Sequence, residues 1–135
     1  MRKMLRSKLH GARITQADLH YEGSITIPPH LMEAADLQAY EAVQVWNVTN
    51  GNRLETYVIT GETGSNDICI NGAAAHLMNA DDTVIIGCFA FFSEEQVADF
   101  EPKLVFLDEQ NNIKDIRKEI PGPHTPPLGE GALLV

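Results

Sequence analysis

The bond between Gly23 and Ser24 joins two residue types that can react with each other. A serine hydroxyl can attack the preceding carbonyl and shift the acyl group from nitrogen to oxygen. The ester then eliminates, and hydrolysis of the dehydroalanine left at position 24 releases ammonia and leaves a pyruvoyl group. Glycine suits the upstream position because it lacks a Cβ, so the hydroxyl can approach and the backbone can take conformations closed to other residues. Attack of this kind needs a strained peptide held by its surroundings. The bland alternative is an ordinary turn, which is what most Gly-Ser pairs are. Arg53 and Tyr57 also carry chemistry by type and spacing. Four residues apart on a strand, they share one face. A guanidinium can hold a carboxylate bidentately, and a phenol on the same face can donate a proton. Taken alone, Arg53 also reads as a solvated residue after a turn, and Tyr57 as a half-buried sheet aromatic.

The surroundings of these residues narrow the choice. Lys8-Leu-His10, Leu19-His-Tyr-Glu-Gly-Ser24, Trp46-Asn-Val-Thr-Asn-Gly-Asn-Arg53 with Thr56-Tyr57, and Ile70-Asn-Gly-Ala-Ala-Ala-His76 follow one another in that order. Between about Met4 and Phe92 the chain closely resembles the pyruvoyl-dependent aspartate α-decarboxylases, which make β-alanine for pantothenate synthesis. The resemblance implies a double-psi β-barrel with a few short helices. It also implies self-cleavage into a β chain, 1–23, and an α chain, 24–135. Ser24 would become the covalent pyruvoyl cofactor that forms a Schiff base with the substrate amine, and Tyr57 would be the proton donor. Lys8, Arg53, Thr56, Gly72, Ala73 and Ala74 would bind substrate, with His10, Tyr21 and Asn71 in support. The partners implied are L-aspartate, further copies of the chain in a homotetramer with sites between subunits, and a maturation partner where cleavage is assisted. One departure stands out: Glu62-Thr-Gly-Ser65 lies where members often have Glu-Arg-Gly-Ser, so a common arginine is missing.

Removing the carboxylate of an α-amino acid leaves a carbanion, so such an enzyme must supply an electron sink. The usual one is pyridoxal phosphate, but the chain has no phosphate-binding glycine loop. His10, His20 and His30 recur every ten residues, which is not metal-ligand spacing, so no metal site is expected. Two rivals stay open at this stage. One is an unprocessed, non-catalytic barrel that serves as an oligomeric binding module. The other is the same mechanism acting on another acidic amino acid.

The whole chain sets bounds on these readings. Its 135 residues suit one domain. The formal charge of −9 argues against a nucleic-acid partner. No apolar run approaches the roughly 20 residues that would span a membrane, and the basic N-terminus does not read as a signal peptide. A cytoplasmic protein is expected, with Cys69 and Cys88 reduced.

Elements must then position the reactive residues. Lys3 to Ala17 reads as extended with Leu5, Leu9 and Ile14 inward, and Ser24 to Ile27 as a short strand closed by Pro28-Pro29. His30 to Leu37 suits a short helix. Glu41 to Thr49 and Arg53 to Thr60 form a hairpin about Asn50-Gly51. Asn71 to Asn79 reads as a second helix, and Asp81-Asp82 as a turn. Thr83 to Phe92 reads as a central strand buried on both faces, and Ser93-Glu-Glu95 as a cap for a third helix. Lys103 to Leu107 and Ile113 to Ile116 read as strands joined near Asn111-Asn112. The barrel domain is placed at 1–120, with a Pro/Gly-rich tail at 121–135. Many short strands and few helices favour a β-barrel.

Overall fold

A computed structural model describes residues 1–123, so the tail expected at 121–135 lies outside the described residues from 124 onward. The strands are β1 (Arg2–Arg13), β2 (Gln16–Asp18), β3 (Ser24–Ile27), β4 (Ala42–Asn47), β5 (Arg53–Thr60), β6 (Cys69–Asn71), β7 (Thr83–Phe92), β8 (Lys103–Leu107) and β9 (Ile113–Ile116). Two short helices, α1 (Pro29–Ala34) and α2 (Glu94–Ala98), and a 3-10 helix at Gly72–His76 complete the set among the described residues. The strands form one nine-stranded sheet in the order β2-β6-β3-β5-β4-β7-β1-β8-β9. Chain continuity from β1 through Ile14 and Thr15 into β2 ties the β2 edge of this order back to β1, and Thr15 N donates to Ile68 O at 2.8 Å. The chain is thus mainly β and forms a barrel. Three of its pairings, β1–β8, β2–β6 and β3–β5, are parallel, as crossover connections require and a simple meander does not.

The core lies inside the curved sheet, where Leu9, Ile25, Val45, Val58, Ile70 and Ile86 are buried. Leu9 and Ile14 point inward as expected, but Leu5 is only half-buried. A bulge between Leu5 and Ser7 leaves Arg6 unmatched opposite β7 and shifts the alternation that had joined Leu5 to Leu9. A second bulge, between His10 and Ala12, lets Leu9, Ala12 and Ile14 all face the core.

β4 and β5 pair as expected, from Ala42 with Tyr57 to Trp46 with Arg53. Their connection is wider than a two-residue turn. The Asn47 carboxamide oxygen accepts from Thr49 N (2.9 Å) and Asn50 N (3.3 Å), and Gly51 alone takes positive φ, at 82°. The Asn47 amide in turn donates to the buried Asp82 carboxylate at 2.7 Å, while Asn50 and Asn52 both donate to Leu77 O at 3.1 Å. This knot fixes the start of β5, and with it Arg53.

Two further expectations are corrected. The segment 71–79 is not an α-helix: Asn71 ends β6, and only Gly72–His76 winds, as a 3-10 helix. Gly72 enters it at φ 74°, a value an α-helix does not use. β7 is central but buried on one face only. Val84, Ile86 and Cys88 face the core, whereas Phe91 on the outer surface is 63% exposed. The short helix after Ser93 does form, with a capping box in which Ser93 Oγ accepts from Gln96 N at 3.2 Å and Gln96 Oε1 from Ser93 N at 2.8 Å.

Gly87 shows how tightly the outer face is built. A Cβ there would lie 2.8 Å from the Trp46 ring, whose other neighbours are Phe89 and the Arg53 guanidinium. Gly87→Ala is therefore expected to destabilise the fold by about 1–3 kcal/mol through overpacking. Chemical denaturation measures this, and a stability equal to the parent would show that the indole has room to move.

Candidate active site

Ser24 opens β3, the strand between β5 and β6. It pairs with Asn71 of β6 and lies one step before the Ile25–Val58 pair of β5, which sets it beside Tyr57. The residues before it form an exposed loop, steadied by Asp18 Oδ1, which accepts from His20 N at 3.0 Å. Gly23 is still exposed, while Ser24 is only 1% exposed, so the Gly23–Ser24 bond marks the passage from solvent to interior. At that junction Ser24 is held at φ 136°. A non-glycine residue in such a region costs on the order of 1–3 kcal/mol and persists only where its surroundings over-determine it.

Two features supply that determination. Asn71 Nδ2 donates to Ser24 Oγ at 3.2 Å and to Thr26 Oγ1 at 3.1 Å, which fixes the oxygen against the β6 side. Gly72 packs against the same peptide from outside. A Cβ at Gly72 would stand 2.8 Å from Gly23 Cα, 3.0 Å from Gly23 N and 3.2 Å from Tyr21 O. The chain thus needs glycine at 72 to admit the backbone of residues 21–23. The strain that the residue chemistry calls for falls on the residue that would use it.

Arg53 and Tyr57 share the exposed face of β5, as their spacing required. Arg53 stacks over Trp46 with its guanidinium carbon 5.1 Å from the ring centroid. Together they border a hollow of about 280 Å³ that Asn52 and Ile85 also line. Glu55, which residue type alone did not single out, stands between them on the same face and accepts from Gln44 Nε2 at 2.6 Å. Thr56 is half-buried on the opposite face. The β4–β5 register runs without a shift from Trp46–Arg53 to Ala42–Tyr57, so no bulge turns Thr56 toward Tyr57. Along the strand Arg53 is about 13 Å from Tyr57, at roughly 3.3 Å per residue.

Lys8 and His10 lie elsewhere. They share one face of β1, which β5, β4 and β7 separate from β3 in the sheet. Lys8 is buried, with Nζ 3.4 Å from Glu119 Oε1. His10 packs on Phe106 with ring centroids 5.1 Å apart. Burial, and after it the positive charge of Lys8, pushes the imidazole below its ordinary pKa, which favours the neutral ring. Of the remaining candidates, Tyr21 is exposed beside Gly72, Ala73 is exposed and Ala74 half-buried. The chain therefore gathers Gly23, Ser24, Tyr57, Asn71 and Gly72, and leaves Lys8, His10 and Arg53 outside that cluster. Thr26 joins it through Asn71; its place two residues after Ser24 on a strand is the signal that marks it.

A family model described as aspartate decarboxylase matches residues 1–114. The chain belongs to the aspartate decarboxylase family. Among curated relatives, the aspartate 1-decarboxylase of Legionella pneumophila (strain Lens) is 60% identical over 118 residues, covering 87% of this chain and 89% of that one. The enzyme of the same name from Rhodopirellula baltica is 50% identical over 123 residues, 91% of this chain and 79% of its own. That from Myxococcus xanthus is 54% identical over 125 residues, 91% and 96% of the two chains. The family match takes in every candidate residue named above, from Lys8 to Ala74.

Proposed function

We propose that the chain is a self-processing decarboxylase that converts L-aspartate to β-alanine and carbon dioxide, for pantothenate synthesis in the cytoplasm. The observation that carries the reading is the buried Ser24 at φ 136°, with Gly72 pressed so closely on the preceding glycine that a Cβ would fill the gap. That geometry suits attack of Ser24 Oγ on the Gly23 carbonyl and a pyruvoyl group at position 24. Such a group supplies the electron sink that decarboxylation needs, without pyridoxal phosphate or a metal.

The chain's own residues bind and move protons around it. Arg53 receives a substrate carboxylate in its planar fork, presented by the Trp46 ring. Lys8 adds a point charge and the neutral His10 lines the pocket beside it. Exposed Ala73, with Gly72 and Ala74, lets the substrate reach backbone N–H groups. Tyr57, next to Ser24 across the β3–β5 pair, returns a proton to the carbon that has lost its carboxylate. Within one chain Lys8, His10 and Arg53 stand away from Ser24, which favours sites that draw on neighbouring subunits, as in the tetramer that the family resemblance implies. Thr56 fits the same arrangement, since it cannot share a site with Tyr57 of its own strand. After cleavage the fragment 1–23 stays bound, because β1 pairs with both β7 and β8 and β2 with β6.

Carbon dioxide release from aspartate and glutamate tests the reading. Aspartate is the expected substrate, and Arg53→Lys is expected to raise its KM about 10–100-fold with kcat little changed, the loss of a bidentate charged hydrogen bond. Faster turnover of glutamate would make the chain a decarboxylase of another acidic amino acid. No release from either would make it a binding barrel.

A further inference from the structure

Tyr40 is 77% exposed, yet its backbone is tied to β5. It lies in the connection between α1 and β4, at φ 70°. For a bulky side chain that value is an outlier, and such residues cluster where surroundings over-determine them for a purpose. The surroundings are plain here. Tyr40 N donates to Val58 O at 2.7 Å, and Val58 N returns a bond to Glu41 O at 3.0 Å. The Glu41 carboxylate accepts from Arg6 Nη2 at 2.6 Å and from Gln38 N at 3.0 Å. Arg6 is the unmatched residue of the first β1 bulge, so the bulge aims the guanidinium that anchors this loop.

What the loop carries is a ring stacked on Tyr57. The two centroids are 6.2 Å apart and the planes differ by 23°. The sheet neighbours of Tyr57 are small: Ala42 by register on β4, and Ser24 by continuation of the β3 pairing. Neither can wall in a phenol, and Tyr40 does.

We propose that Tyr40 is a positioning residue for the Tyr57 phenol, holding its ring at the angle from which the proton reaches substrate. This rests on the reading of Tyr57 as the proton donor. Tyr40 touches no reacting atom; it acts by limiting the rotation of its neighbour through the offset stack. The backbone strain at position 40 is the cost of placing an aromatic there.

The test uses Tyr40→Gly, Tyr40→Phe, Tyr57→Phe and the double variant Tyr40→Gly/Tyr57→Phe, with rates normalised to the processed fraction found by mass. Glycine is at ease at φ 70°, so Tyr40→Gly should melt at or above the parent temperature. Its kcat should nevertheless fall about tenfold, the loss of one aromatic pair, with KM within about twofold. Tyr40→Phe keeps the ring and should keep most of the rate. The double variant should be no slower than Tyr57→Phe, because the two residues act through one proton transfer. An unchanged kcat in Tyr40→Gly, or full additivity in the double variant, overturns the positioning role while leaving Tyr57 in place. An unchanged kcat in Tyr57→Phe overturns the donor reading itself, and the inference falls with it.

Discussion

Ser24→Ala is expected to yield a folded, full-length chain with no measurable decarboxylation. Alanine lacks the nucleophile, the oxygen that the Asn71 side chain holds at position 24, so neither cleavage nor cofactor formation can begin. The fold should survive, since Ser24 opens a strand that the buried Ile25 and Ile27 secure. Electrophoresis under denaturing conditions and carbon dioxide release read both halves of the expectation. Retained activity in an uncut Ser24→Ala chain would mean that catalysis uses a different electron sink.

Gly72→Ala should arrest the same step by another route. The added methyl would sit 2.8 Å from Gly23 Cα, and position 72 has a φ of 74° that alanine resists. The atom it meets is backbone, so the 21–23 segment itself must move. A displacement near 1 Å at a reacting centre is worth about a hundredfold in rate. Cleavage of the newly folded precursor should slow by about that factor, followed as the disappearance of full-length chain. Cleavage of Gly72→Ala at the parental rate would show that the close packing has no part in processing.

Which candidate residues share a strand face was legible in the sequence, and the reason is local. Arg53 and Tyr57 share a face because strand alternation is strict where no bulge intervenes, and none does between them. Lys8 and His10 obey the same rule on β1. Alternation failed at Leu5, because the bulge at Arg6 is set by pairing with a strand eighty residues away and leaves no mark in the local pattern. The helix expected at 71–79 shrank to five residues for a related reason: Gly72 is recruited to pack on Gly23, and its φ of 74° stops a regular helix from starting at Asn71. β7 is apolar throughout, which suggested two buried faces. Its outer face instead carries the exposed Phe91. Tyr40 was invisible, because nothing in Leu37-Gln-Ala-Tyr-Glu41 signals a tyrosine held at positive φ against β5. Short-range chemistry could be read from residue types, whereas the strain and packing that ready it arise from contacts between distant segments.

The most direct test of self-processing is the intact mass of the purified, denatured protein. The account predicts two species, one ending at Gly23 and one beginning at position 24, the latter lighter by ammonia than the corresponding serine-initiated fragment. A single full-length species in an actively decarboxylating preparation would contradict it. Two fragments with Ser24 intact would contradict it as well, since the bond would have been hydrolysed without making the group that the chemistry needs.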